Sequence, residues 1–530
     1  MPLHGKNIIG RVLSADGEST FQAIDPATGQ RLATHFHNAT PEEADRAVRL
    51  AARAFEGRRP REPAQTVRLL ERIADGIEAL GDELIDRCNA ETGLPAGRLL
   101  MERGRTCGQL RLFAGVVSEG SWVDARIDRA IPDRQPIPKP DVRRMLVPIG
   151  PVVVFPASNF PLAFSVAGGD TASALAAGCP VIVKARPAHP GTSELVGRAV
   201  QQAVEETGLP DGWFSMLHGP GRELGMTLVR HPVVKAVGFT GSLEGGRTLF
   251  DAAASRPNPI PVYAEMGSIN PVFLMPDALA ERAQEIAAGL HQSVTLGVGQ
   301  FCTNPGLVIG LAGDDLDRFV AALGKRIEAT APGTMLLDGI LEGYERGVER
   351  LSNVAGVEVA ARSAQTPQRQ KTQCAAALFV VDGDAFLHNA ELHREVFGPS
   401  TLVVRCRDEA QMLEIARALD GQLTCTIHTT GDGLAGCAEL LSILETKAGR
   451  VLFGGFPTGV EVCPSMNHGG PYPATTDVHF TSVGTAAIYR FARPVCYQNF
   501  PQDQLPRELR DRNERGIWRL VDGVSSKDDA

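Results

Sequence analysis

Two side chains in this sequence have the chemistry needed for covalent catalysis at a carbonyl carbon. Cys302 lies in a loop of small residues, between Gly299 and Pro305. A thiolate attacks a carbonyl carbon well, and a glycine-containing loop lets backbone N–H groups approach the oxyanion that forms. Glu265 precedes it in the chain and carries a carboxylate that can activate water. Because most cysteines are small buried apolar residues, the neighbouring motifs must decide whether this pair is catalytic.

Asn159 offers a third polar group suited to the same reaction. It lies in the turn 156–161, directly after the apolar run 152–155. Its side-chain amide could stabilise an oxyanion, although asparagine more commonly shapes a turn or caps a helix. Glu265 likewise follows an apolar run, 262–264, and its ordinary alternative is a solvated or paired carboxylate. Both residues therefore lie where parallel strands would end, which is where such sheets bind ligands.

The elements that position these groups follow a strand–helix rhythm from residue 145 onward. Apolar runs predict strands, and small-residue or amphipathic runs between them predict helices. The predicted strands are 152–155, 181–184, 213–217, 234–239 and 262–264, and the predicted helices are 162–177, 193–206 and one that opens at 219–225. This alternation predicts a parallel, doubly wound α/β sheet. A second α/β stretch, 271–464, includes the predicted strands 377–381 and 402–404.

The segments outside this rhythm differ in composition. Residues 21–33 are β-like, and Thr40 with Glu43 forms a capping box that begins a helical layer extending to residue 117. The prolines of 125–147 predict a linker or an extended arm rather than a central strand. A late β-like segment spans 483–489, and the charged residues 502–530 predict a surface helix with a frayed end.

Composition and charge exclude several classes of protein. The 530 residues carry a net charge of −9, which argues against nucleic acid or an anionic membrane as the main partner. The N-terminus lacks an apolar signal-peptide core, and the stretch 161–183 is too polar to span a membrane. The ten cysteines have neither CxxC pairs nor metal-ligand spacing. We therefore expect free thiols, a cytoplasmic location and no metal site.

The motifs of the chain resemble, in wording and in order, those of the NAD(P)-dependent aldehyde dehydrogenase superfamily over about residues 15–500. The motifs that carry the resemblance are Pro156-Ala157-Ser158-Asn159-Phe160-Pro161, Val183-Lys184, Phe239-Thr240-Gly241-Ser242, Glu265-Met266-Gly267, Gly299-Gln300-Phe301-Cys302-Thr303 and Glu395-Val396-Phe397-Gly398-Pro399. The run 160–178 resembles the branch that holds α-ketoglutaric semialdehyde (2,5-dioxovalerate) dehydrogenases and an NADP-dependent fatty aldehyde dehydrogenase.

The resemblance implies an α/β fold with a Rossmann-type parallel-sheet cofactor domain, an α/β catalytic domain and a small β oligomerisation arm. We assign residues 1–124 and 148–264 to the cofactor domain and 265–474 to the catalytic domain. Residues 125–147 and 475–500 would form the arm, and 501–530 would be a charged C-terminal tail. The implied assembly is a homodimer or a homotetramer.

The resemblance also implies a role for each motif residue. Cys302 would attack the aldehyde to give a thiohemiacetal, Asn159 would hold its oxyanion, and Glu265 would activate the water that releases the acid. Lys184, also a catalytic position, would hold cofactor ribose and phosphate. Further cofactor contacts are implied for Phe155, Pro156, Ala157, Ser158, Arg186, His189, Arg222, Thr240, Gly241, Ser242, Glu395 and Phe397. Substrate contacts are expected for Phe160, Phe164, Phe301 and Thr303.

One departure from many NAD-dependent relatives bears on the choice of cofactor. Those relatives carry a glutamate three positions after the conserved-motif lysine, where it accepts a hydrogen bond from the ribose 2′-OH. Here Lys184 is followed by Ala185, Arg186 and Pro187, and an arginine attracts a 2′-phosphate that a glutamate would repel. Further candidates for the phosphate contact are His189, Thr192 and Arg222. We therefore predict NADP, with NAD possible, while each basic residue retains the alternative of an ordinary surface charge.

The substrate stays open between two classes of aldehyde. Semialdehyde enzymes often hold the substrate carboxylate with an arginine shortly after the Asn-Phe-Pro motif, but residues 162–166 are apolar here. That favours a medium- or long-chain aliphatic aldehyde, whereas the branch resemblance favours α-ketoglutaric semialdehyde, which we place first. Residues 267–271 and 467–473 also depart from the common family wording, so substrate contacts do not transfer directly.

Three other kinds of activity compete with this interpretation. An inactive nucleotide-binding scaffold would be expected to lack Cys302, Glu265 or Asn159, and all three are present. A CoA-acylating dehydrogenase shares the thioester stage but needs no water-activating base at position 265. A cysteine esterase would work without any dinucleotide, which the βαβ segment and Lys184 argue against.

Overall fold

The computed structural model describes residues 2–57 and 62–530; positions 1 and 58–61, within the expected segment 1–124, lie outside the described residues. The described strands are β1 (Asn7–Ile9), β2 (Val12–Ser14), β3 (Thr20–Ile24), β4 (Arg31–His37), β5 (Ala125–Asp128), β6 (Val142–Pro148), β7 (Val152–Phe155), β8 (Val181–Lys184), β9 (Phe214–Leu217), β10 (Ala236–Thr240), β11 (Val262–Glu265), β12 (Val272–Leu274), β13 (Leu307–Leu311), β14 (Gly333–Thr334), β15 (Glu358–Arg362), β16 (Gln373–Cys374), β17 (Ala377–Asp382), β18 (Ser400–Cys406), β19 (Gln422–His428), β20 (Ala448–Phe453), β21 (Ala492–Gln498), β22 (Arg519–Val521) and β23 (Val524–Ser526). The described α-helices are α1 (Pro41–Gly57), α2 (Pro63–Ala79), α3 (Gly81–Thr92), α4 (Ala96–Glu119), α5 (Gly169–Ala177), α6 (Pro190–Glu206), α7 (Arg222–Arg230), α8 (Leu243–Ala254), α9 (Pro276–Thr295), α10 (Asp314–Ala329), α11 (Asp338–Ser352), α12 (Gly383–His388), α13 (Glu409–Ala418) and α14 (Ala438–Glu445). Within this part of the chain no helix is long and apolar enough to cross a bilayer.

The first large sheet confirms the predicted doubly wound arrangement. Its seven strands run in the order β11-β10-β7-β8-β9-β1-β2, and the five from β11 to β9 are parallel. Every residue of β7 and β8 is buried, as expected for parallel strands covered by helices on both faces. Helices α2, α4, α5 and α6 supply one apolar layer, and α1, α7 and α8 supply the other.

The second large sheet also has seven strands, in the order β15-β17-β18-β13-β12-β19-β20. All neighbouring strands from β17 to β20 are parallel, and only β15 at the edge is antiparallel. The predicted strands 377–381 and 402–404 are confirmed as parts of β17 and β18. The site therefore lies between the carboxyl end of the first sheet, where β11 ends at Glu265, and the loop that enters β13 of the second sheet.

Helix α1 begins as the sequence predicts. The hydroxyl of Thr40 accepts a hydrogen bond from the backbone N–H of Glu43 at 3.2 Å, and the Glu43 carboxylate accepts from the Thr40 N–H at 2.8 Å. This reciprocal pair is a capping box, which satisfies N–H groups that the first turn leaves unpaired. The β-like lead before it forms the hairpin of β3 and β4.

The helix expected over 162–177 begins only at Gly169, as helix α5. Residues 162–168 form turns instead, and the buried carboxylate of Glu102 on α4 accepts the backbone N–H groups of Leu162 at 2.9 Å and Ala163 at 3.0 Å. Those N–H groups are satisfied without a helix, because a distant side chain supplies the acceptor. The turn therefore depends on a residue that is far away in sequence.

Two predictions for the C-terminal region are wrong. The segment 483–489, expected to be β-like, is largely a 3₁₀ helix over Thr485–Phe491, whose apolar residues pack into the core beside α5. The expected surface helix after residue 502 is absent from the described chain, which has short 3₁₀ turns and the strands β22 and β23 there. These strands complete a five-stranded sheet, β21-β6-β5-β22-β23, so the segment packs as part of the arm because Leu505, Leu509 and Ile517 are buried against it.

Candidate active site

Cys302 is presented by the loop that joins α9 to β13. The chain turns through positive φ at 297–299, a region that residues with side chains rarely adopt. A side chain at Gly299 would lie 2.3 Å from the carbonyl carbon of Gly398. Glycine is therefore required there for the loop to pack against the segment 395–399.

Asn270 holds the backbone at Cys302 from below. Its side-chain amide donates to the carbonyl oxygens of Cys302 at 2.9 Å and Asn304 at 3.0 Å. Its own oxygen accepts from the hydroxyl of Thr424 at 2.9 Å, and the residue is fully buried. The segment 267–271, noted above as a departure from the common family wording, thus positions the loop that carries the thiol.

Cys302, Glu265 and His468 bring their polar atoms together. The Nε2 atom of His468 lies 3.5 Å from the Cys302 sulfur and 3.0 Å from one carboxylate oxygen of Glu265. One ligand atom from each residue falls within 4.8 Å of the other two. Cysteine, histidine and glutamate are also ligand types for zinc, so the expected absence of a metal site stays a prediction.

The carboxylate of Glu265 is buried and held on several sides. Ser482 donates its hydroxyl to the second carboxylate oxygen at 2.6 Å, and the backbone of Glu265 forms a β-bridge with Thr475. Burial opposes ionisation, but the charge and hydrogen bond of His468 and the hydrogen bonds of Ser482 and Cys302 outweigh it and lower the pKa of Glu265. The attraction to His468 requires a protonated ring, whereas the hydrogen bonds act in either state. Glu265 is therefore a carboxylate at neutral pH.

His468 carries its proton on Nε2. A carboxylate only accepts hydrogen bonds, so the Nε2 atom facing Glu265 must be the donor. The Nδ1 atom is buried and has no hydrogen-bond partner within residues 2–57 and 62–530. A proton on Nδ1 would be a buried donor without an acceptor, so the hydrogen bonds of this ring run through Nε2. The Nε2–H group then faces both the carboxylate and the sulfur.

The thiol of Cys302 is protonated in the free protein. Burial and the neighbouring Glu265 carboxylate raise the pKa of Cys302 well above its ordinary value. A thiolate therefore forms only when a contacting base takes the proton. The carboxylate of Glu265, which raises this pKa, also lies within hydrogen-bond contact of the thiol.

Asn159 contacts the loop that carries the thiol. Its amide nitrogen donates to the carbonyl oxygen of Gln300 at 2.9 Å. The amide has two N–H bonds, and this contact uses one of them. In the part of the chain that the structure describes, the second N–H bond has no acceptor. The backbone carbonyl oxygen of Asn159 accepts a hydrogen bond from the guanidinium of Arg98 at 2.7 Å. The structure therefore brings Asn159 beside the Cys302 loop, while its expected role as an oxyanion donor stays a prediction.

Several expected cofactor residues form a group that we call the Lys184 cluster, comprising Ser158, Lys184, Arg186, Gly241 and Ser242. Lys184 ends β8 and donates to the carbonyl oxygen of Gly219 at 2.7 Å. Arg186 donates a hydrogen bond to the hydroxyl of Ser158 at 2.9 Å. A Cβ atom added at Gly241 would lie 3.4 Å from one of the terminal nitrogens of Arg186. Both cations lie at the end of β8, beside the turn after β7 and the end of β10.

Two features of the Lys184 cluster suit an anionic ligand. Ser242 caps α8 by accepting the N–H of Gly245 at 3.3 Å, and a helix N-terminus attracts phosphate. Burial, and then the charge of Arg186, lower the pKa of Lys184 to about 8. Phe155, Pro156, Ala157 and Thr240 lie buried around the ends of β7 and β10, next to this cluster. The residues present therefore fit a dinucleotide.

His189 and Thr192 are corrections to the expected phosphate contacts. The ring of His189 is fully buried, with its nitrogens against the carbonyl oxygen of Ala157 at 3.2 Å and the hydroxyl of Ser193 at 3.3 Å. Thr192 is also fully buried, and its hydroxyl donates to Glu91 at 2.8 Å. Both support the turn from beneath, so neither side chain reaches a bound phosphate.

Arg222 is exposed at the surface, and Glu395 and Phe397 are partly buried. Arg222 is 85% exposed and pairs with Glu244 at 2.9 Å, so solvent screens its charge. A Cβ atom added at Gly267 would lie 2.6 Å from a carboxylate oxygen of Glu395. Burial raises the pKa of Glu395 to about 7 against a backbone hydrogen bond from Ser268. Glu395 and Phe397 line a pocket that also includes Ser268 and Asn304.

Three of the four expected substrate residues pack together with two arginines of α4. We call Arg98, Arg105, Phe160, Phe164 and Phe301 the Phe160 cluster. The ring of Phe160 lies 5.3 Å from that of Phe164 and 5.2 Å from that of Phe301. The Arg98 guanidinium lies 4.8 Å from the Phe301 ring, and that of Arg105 lies 5.1 Å from the Phe164 ring. Thr303 is buried after Cys302, and its substrate contact stays a prediction.

Sequence reasoning missed His468, Ser482, Arg98 and Arg105. The segment 467–473 was recognised as a departure, and a histidine in a stretch rich in glycine and proline was the available signal for His468. The arginines gave a weaker signal: with Glu102 they repeat at helical spacing on α4, whose inner face also buries Thr106 and Gln109. Charged residues on a buried helix face indicate a function, because such residues are seldom buried without a partner.

The chain matches known proteins over most of its length. A model of the aldehyde dehydrogenase family matches residues 13–451. The chain is 53% identical over 526 residues to alpha-ketoglutaric semialdehyde dehydrogenase 2 of Azospirillum brasilense, covering 99% of each protein. It is 47% identical over 522 residues to alpha-ketoglutaric semialdehyde dehydrogenase of Acinetobacter baylyi, covering 98% of each.

Solved structures with the same fold are more distant in sequence. A variant of betaine aldehyde dehydrogenase from Staphylococcus aureus, solved in complex with NAD+, is 21% identical with a TM-score of 0.79, covering 94% of this chain and 98% of that one. A 1-pyrroline-5-carboxylate dehydrogenase is also 21% identical, with a TM-score of 0.77 and coverage of 93% and 92%. At these identities the likeness concerns the fold alone.

Proposed function

The chain belongs to the aldehyde dehydrogenase family, and from that premise we propose that it oxidises α-ketoglutaric semialdehyde to 2-oxoglutarate through Cys302. The observation that carries the proposal is the contact of one imidazole nitrogen of His468 with both the thiol, at 3.5 Å, and the Glu265 carboxylate, at 3.0 Å. Nucleophile, proton acceptor and orienting donor are thereby within reach of one another, as covalent catalysis requires.

The acylation half of the reaction begins with transfer of the thiol proton to Glu265. The thiolate of Cys302 attacks the aldehyde carbon and forms a thiohemiacetal, whose oxyanion accepts from the free N–H of Asn159 and from the loop backbone. The Nε2–H group of His468 stabilises the thiolate before attack. A dinucleotide bound at the Lys184 cluster would supply the hydride acceptor, and loss of hydride from the thiohemiacetal carbon would leave a thioester on Cys302.

The deacylation half uses the same carboxylate as a base. Glu265, once it has released the thiol proton to solvent, takes a proton from water, and the hydroxide formed attacks the thioester carbon. His468 and Ser482 hold the two oxygens of the carboxylate in place during this step. The products are the carboxylic acid and the free thiol. Per turnover, one aldehyde and one water give one acid, one hydride on the dinucleotide and one proton.

For the cofactor, the proposal is NADP in preference to NAD. Lys184 would hold a ribose and phosphate, Arg186 would pair with the 2′-phosphate, and the Ser242-capped end of α8 would face the pyrophosphate. Glu395, as a carboxylate, would accept from the nicotinamide ribose, with Phe397 beside it. The support for NADP is that Arg186 lies among these groups and position 187, where a carboxylate would repel the 2′-phosphate, is proline.

The alternative substrate is a medium- or long-chain aliphatic aldehyde. The apolar run 162–166 and the three rings of the Phe160 cluster favour it. The two arginines stacked on those rings favour a substrate with an anionic end, and so do the names of the relatives. Acyl transfer to CoA is disfavoured because Glu265 already stands against the thiol as a base for hydrolysis.

A panel of aldehydes tests the function directly. Purified protein is supplied with NADP or NAD and with α-ketoglutaric semialdehyde, succinic semialdehyde, hexanal or decanal, and cofactor reduction is followed by absorbance. We expect the highest kcat/KM with α-ketoglutaric semialdehyde and NADP, no stimulation by CoA, and no oxidation of any aldehyde by Cys302→Ala. A higher kcat/KM with decanal would replace the proposed substrate, and activity of Cys302→Ala would refute the mechanism.

The wider setting of this activity is also a proposal. All ten cysteines are free thiols, which suits a reducing cytoplasmic compartment. The five-stranded sheet formed by β5, β6 and β21 to β23 exposes Phe500, Trp518 and Val524, a surface suited to pairing of two or four copies. The proposed units are the cofactor domain (1–124 and 148–264), the catalytic domain (265–474) and the arm (125–147 and 475–500), whose sheet the expected tail 501–530 joins through β22 and β23.

A further inference from the structure

Arg105 is a partly buried cation, and two of its three guanidinium nitrogens have no hydrogen-bond partner in the described chain. Its Nε atom and one terminal nitrogen are shielded from solvent and have no hydrogen-bond partner within residues 2–57 and 62–530. Burial lowers the pKa of Arg105, which reflects the loss of water around the guanidinium. A buried arginine normally fills its donors with carboxylates or carbonyls, because leaving them unpaired is unfavourable. The free donors of Arg105 therefore indicate a missing anionic partner.

The guanidinium of Arg105 lies beside the reacting groups. It stacks 5.1 Å from the ring of Phe164, which lies 6.3 Å from the ring of His468. Its positive charge acts directly on the thiol of Cys302 and on the carboxylate of Glu265. The guanidinium is thus linked to the thiol through two contacting side chains, Phe164 and His468.

The acid next to Arg105 on helix α4 does not occupy these donors. One oxygen of Glu102 accepts the backbone N–H groups of Leu162 and Ala163, at 2.9 and 3.0 Å. The other oxygen has no hydrogen-bond partner in the described chain, and burial raises the pKa of Glu102. The charges of Glu102, Glu265 and Glu461 act on Arg105, but within the described residues none of these carboxylates forms a hydrogen bond with its two unpartnered nitrogens.

Two other arginines near the site have fewer free donors. Arg98 donates one terminal nitrogen to the backbone carbonyl oxygen of Asn159 at 2.7 Å, and its other terminal nitrogen is buried without a partner in the described chain. Arg450 uses both terminal nitrogens, donating to the carbonyl oxygens of Pro457 at 2.7 Å and Gly459 at 3.0 Å. Arg450 thereby holds the loop 457–459. Arg105 is the arginine whose planar fork is available for two parallel hydrogen bonds to a carboxylate.

We propose that Arg105 binds the carboxylate of the aldehyde substrate and so selects short aldehydes that carry an acid at their far end. This inference rests on the proposed oxidation at Cys302. The end carbons of an extended five-carbon chain are roughly 5 Å apart, which suits a carbonyl at the thiol and a carboxylate at a neighbouring guanidinium. The Phe160 and Phe164 rings line the chain between the two ends, and a neutral alkyl aldehyde leaves Arg105 unpaired.

The test compares acidic and neutral aldehydes of similar length. For Arg105→Met we expect a loss of kcat/KM of about 100-fold or more with α-ketoglutaric and succinic semialdehydes, carried mainly by KM, since a bidentate charged contact is lost. With pentanal we expect less than a threefold change. Arg105→Lys, which keeps the charge without the fork, should give an intermediate loss with the acids.

A matched control lies on the same helix. Arg111 is exposed and ion-paired with Asp75 and Glu78, so Arg111→Met should leave the acid-to-pentanal ratio unchanged. Equal losses of Arg105→Met on acids and pentanal would overturn the inference, and so would an unchanged ratio or a wild-type preference for pentanal over both acids. If the wild type uses succinic but not α-ketoglutaric semialdehyde, the proposed substrate fails while the ratio still tests Arg105.

Discussion

The Lys184 cluster and the Phe160 cluster both place arginines near Cys302, yet they are built in different ways. Residues of the Lys184 cluster each follow a neighbouring parallel strand, β7, β8 or β10, within a few positions. The Phe160 cluster combines the turn after β7 with the buried face of α4 and the Cys302 loop. Arg186 is engaged with Ser158, whereas two nitrogens of Arg105 are buried without partners in the described chain.

The difference shows how the surroundings of a cation decide its role. In the Lys184 cluster burial and then the charge of Arg186 lower the pKa of Lys184, so a phosphate would relieve a repulsion that is already present. In the Phe160 cluster the charge is stacked on rings and its donors are empty, so a carboxylate supplies hydrogen bonds that are missing. Cys302, Glu265 and His468 serve both ligands, and variants in each group should separate the two roles.

The largest effect is expected for Glu265→Gln, which alters the centre that both clusters serve. The amide cannot accept a proton, so steady-state kcat should fall by about 1,000-fold or more. The KM values for cofactor and aldehyde should change little, because neither cluster is touched. Rapid-quench and steady-state measurements with wild type as the reference check this. A kcat within tenfold of wild type would mean that another group is the base.

The next largest effect is expected for His468→Gln. The side chain can still donate to Glu265 but lacks the second contact to the sulfur, so kcat should fall by about 10- to 100-fold, consistent with loss of one charge-assisted hydrogen bond. The rate of thiol alkylation should fall as well, and its pH dependence should shift upward. Ser482→Ala is the matched control, because it loosens Glu265 without touching the thiol. Normal alkylation of His468→Gln would remove the imidazole from thiolate stabilisation.

Arg186→Ala should affect only the Lys184 cluster. We expect kcat/KM for NADP to fall by about 30-fold while that for NAD changes less than threefold, because a charged contact to the 2′-phosphate is lost. The ratio of acidic to neutral aldehyde activity should stay constant. Arg222→Ala, at an exposed and screened position, should change either cofactor less than threefold. Equal losses with NADP and NAD would show that Arg186 supports the turn and not the phosphate.

The smallest effect is expected from pH acting on Lys184. With its pKa lowered to about 8, the ammonium is present below that pH and is lost above it. The dissociation constant of NADPH, followed by fluorescence, should therefore rise about three- to tenfold between pH 7 and pH 9. In Arg186→Ala the repulsion is gone, so the rise should move to higher pH. A flat profile in the wild type would assign the binding to other groups.

The local elements of the fold were predictable because their signals are local. The capping box of Thr40 and Glu43 and the buried runs of β7 and β8 depend on residues that are neighbours in sequence. The predicted helix over 162–177 was wrong in its first turns because the acceptor for those N–H groups is Glu102. The helix expected after residue 502 was wrong because β22 finds its partner in β5. Both errors arise where a distant residue supplies the hydrogen bond.

The motifs in the chain were enough to identify the α/β fold and the family, because each motif is short and its chemistry is contained in adjacent residues. They also pointed to Cys302, Glu265, Asn159 and Lys184. His468 joins the thiol and the carboxylate only through folding, since it lies 166 positions from Cys302. Arg105 likewise stacks on Phe164 only because α4 packs against the turn after β7. Covalent chemistry can be read from local sequence, whereas protonation states and selection of the far end of the substrate depend on burial and on contacts between distant segments.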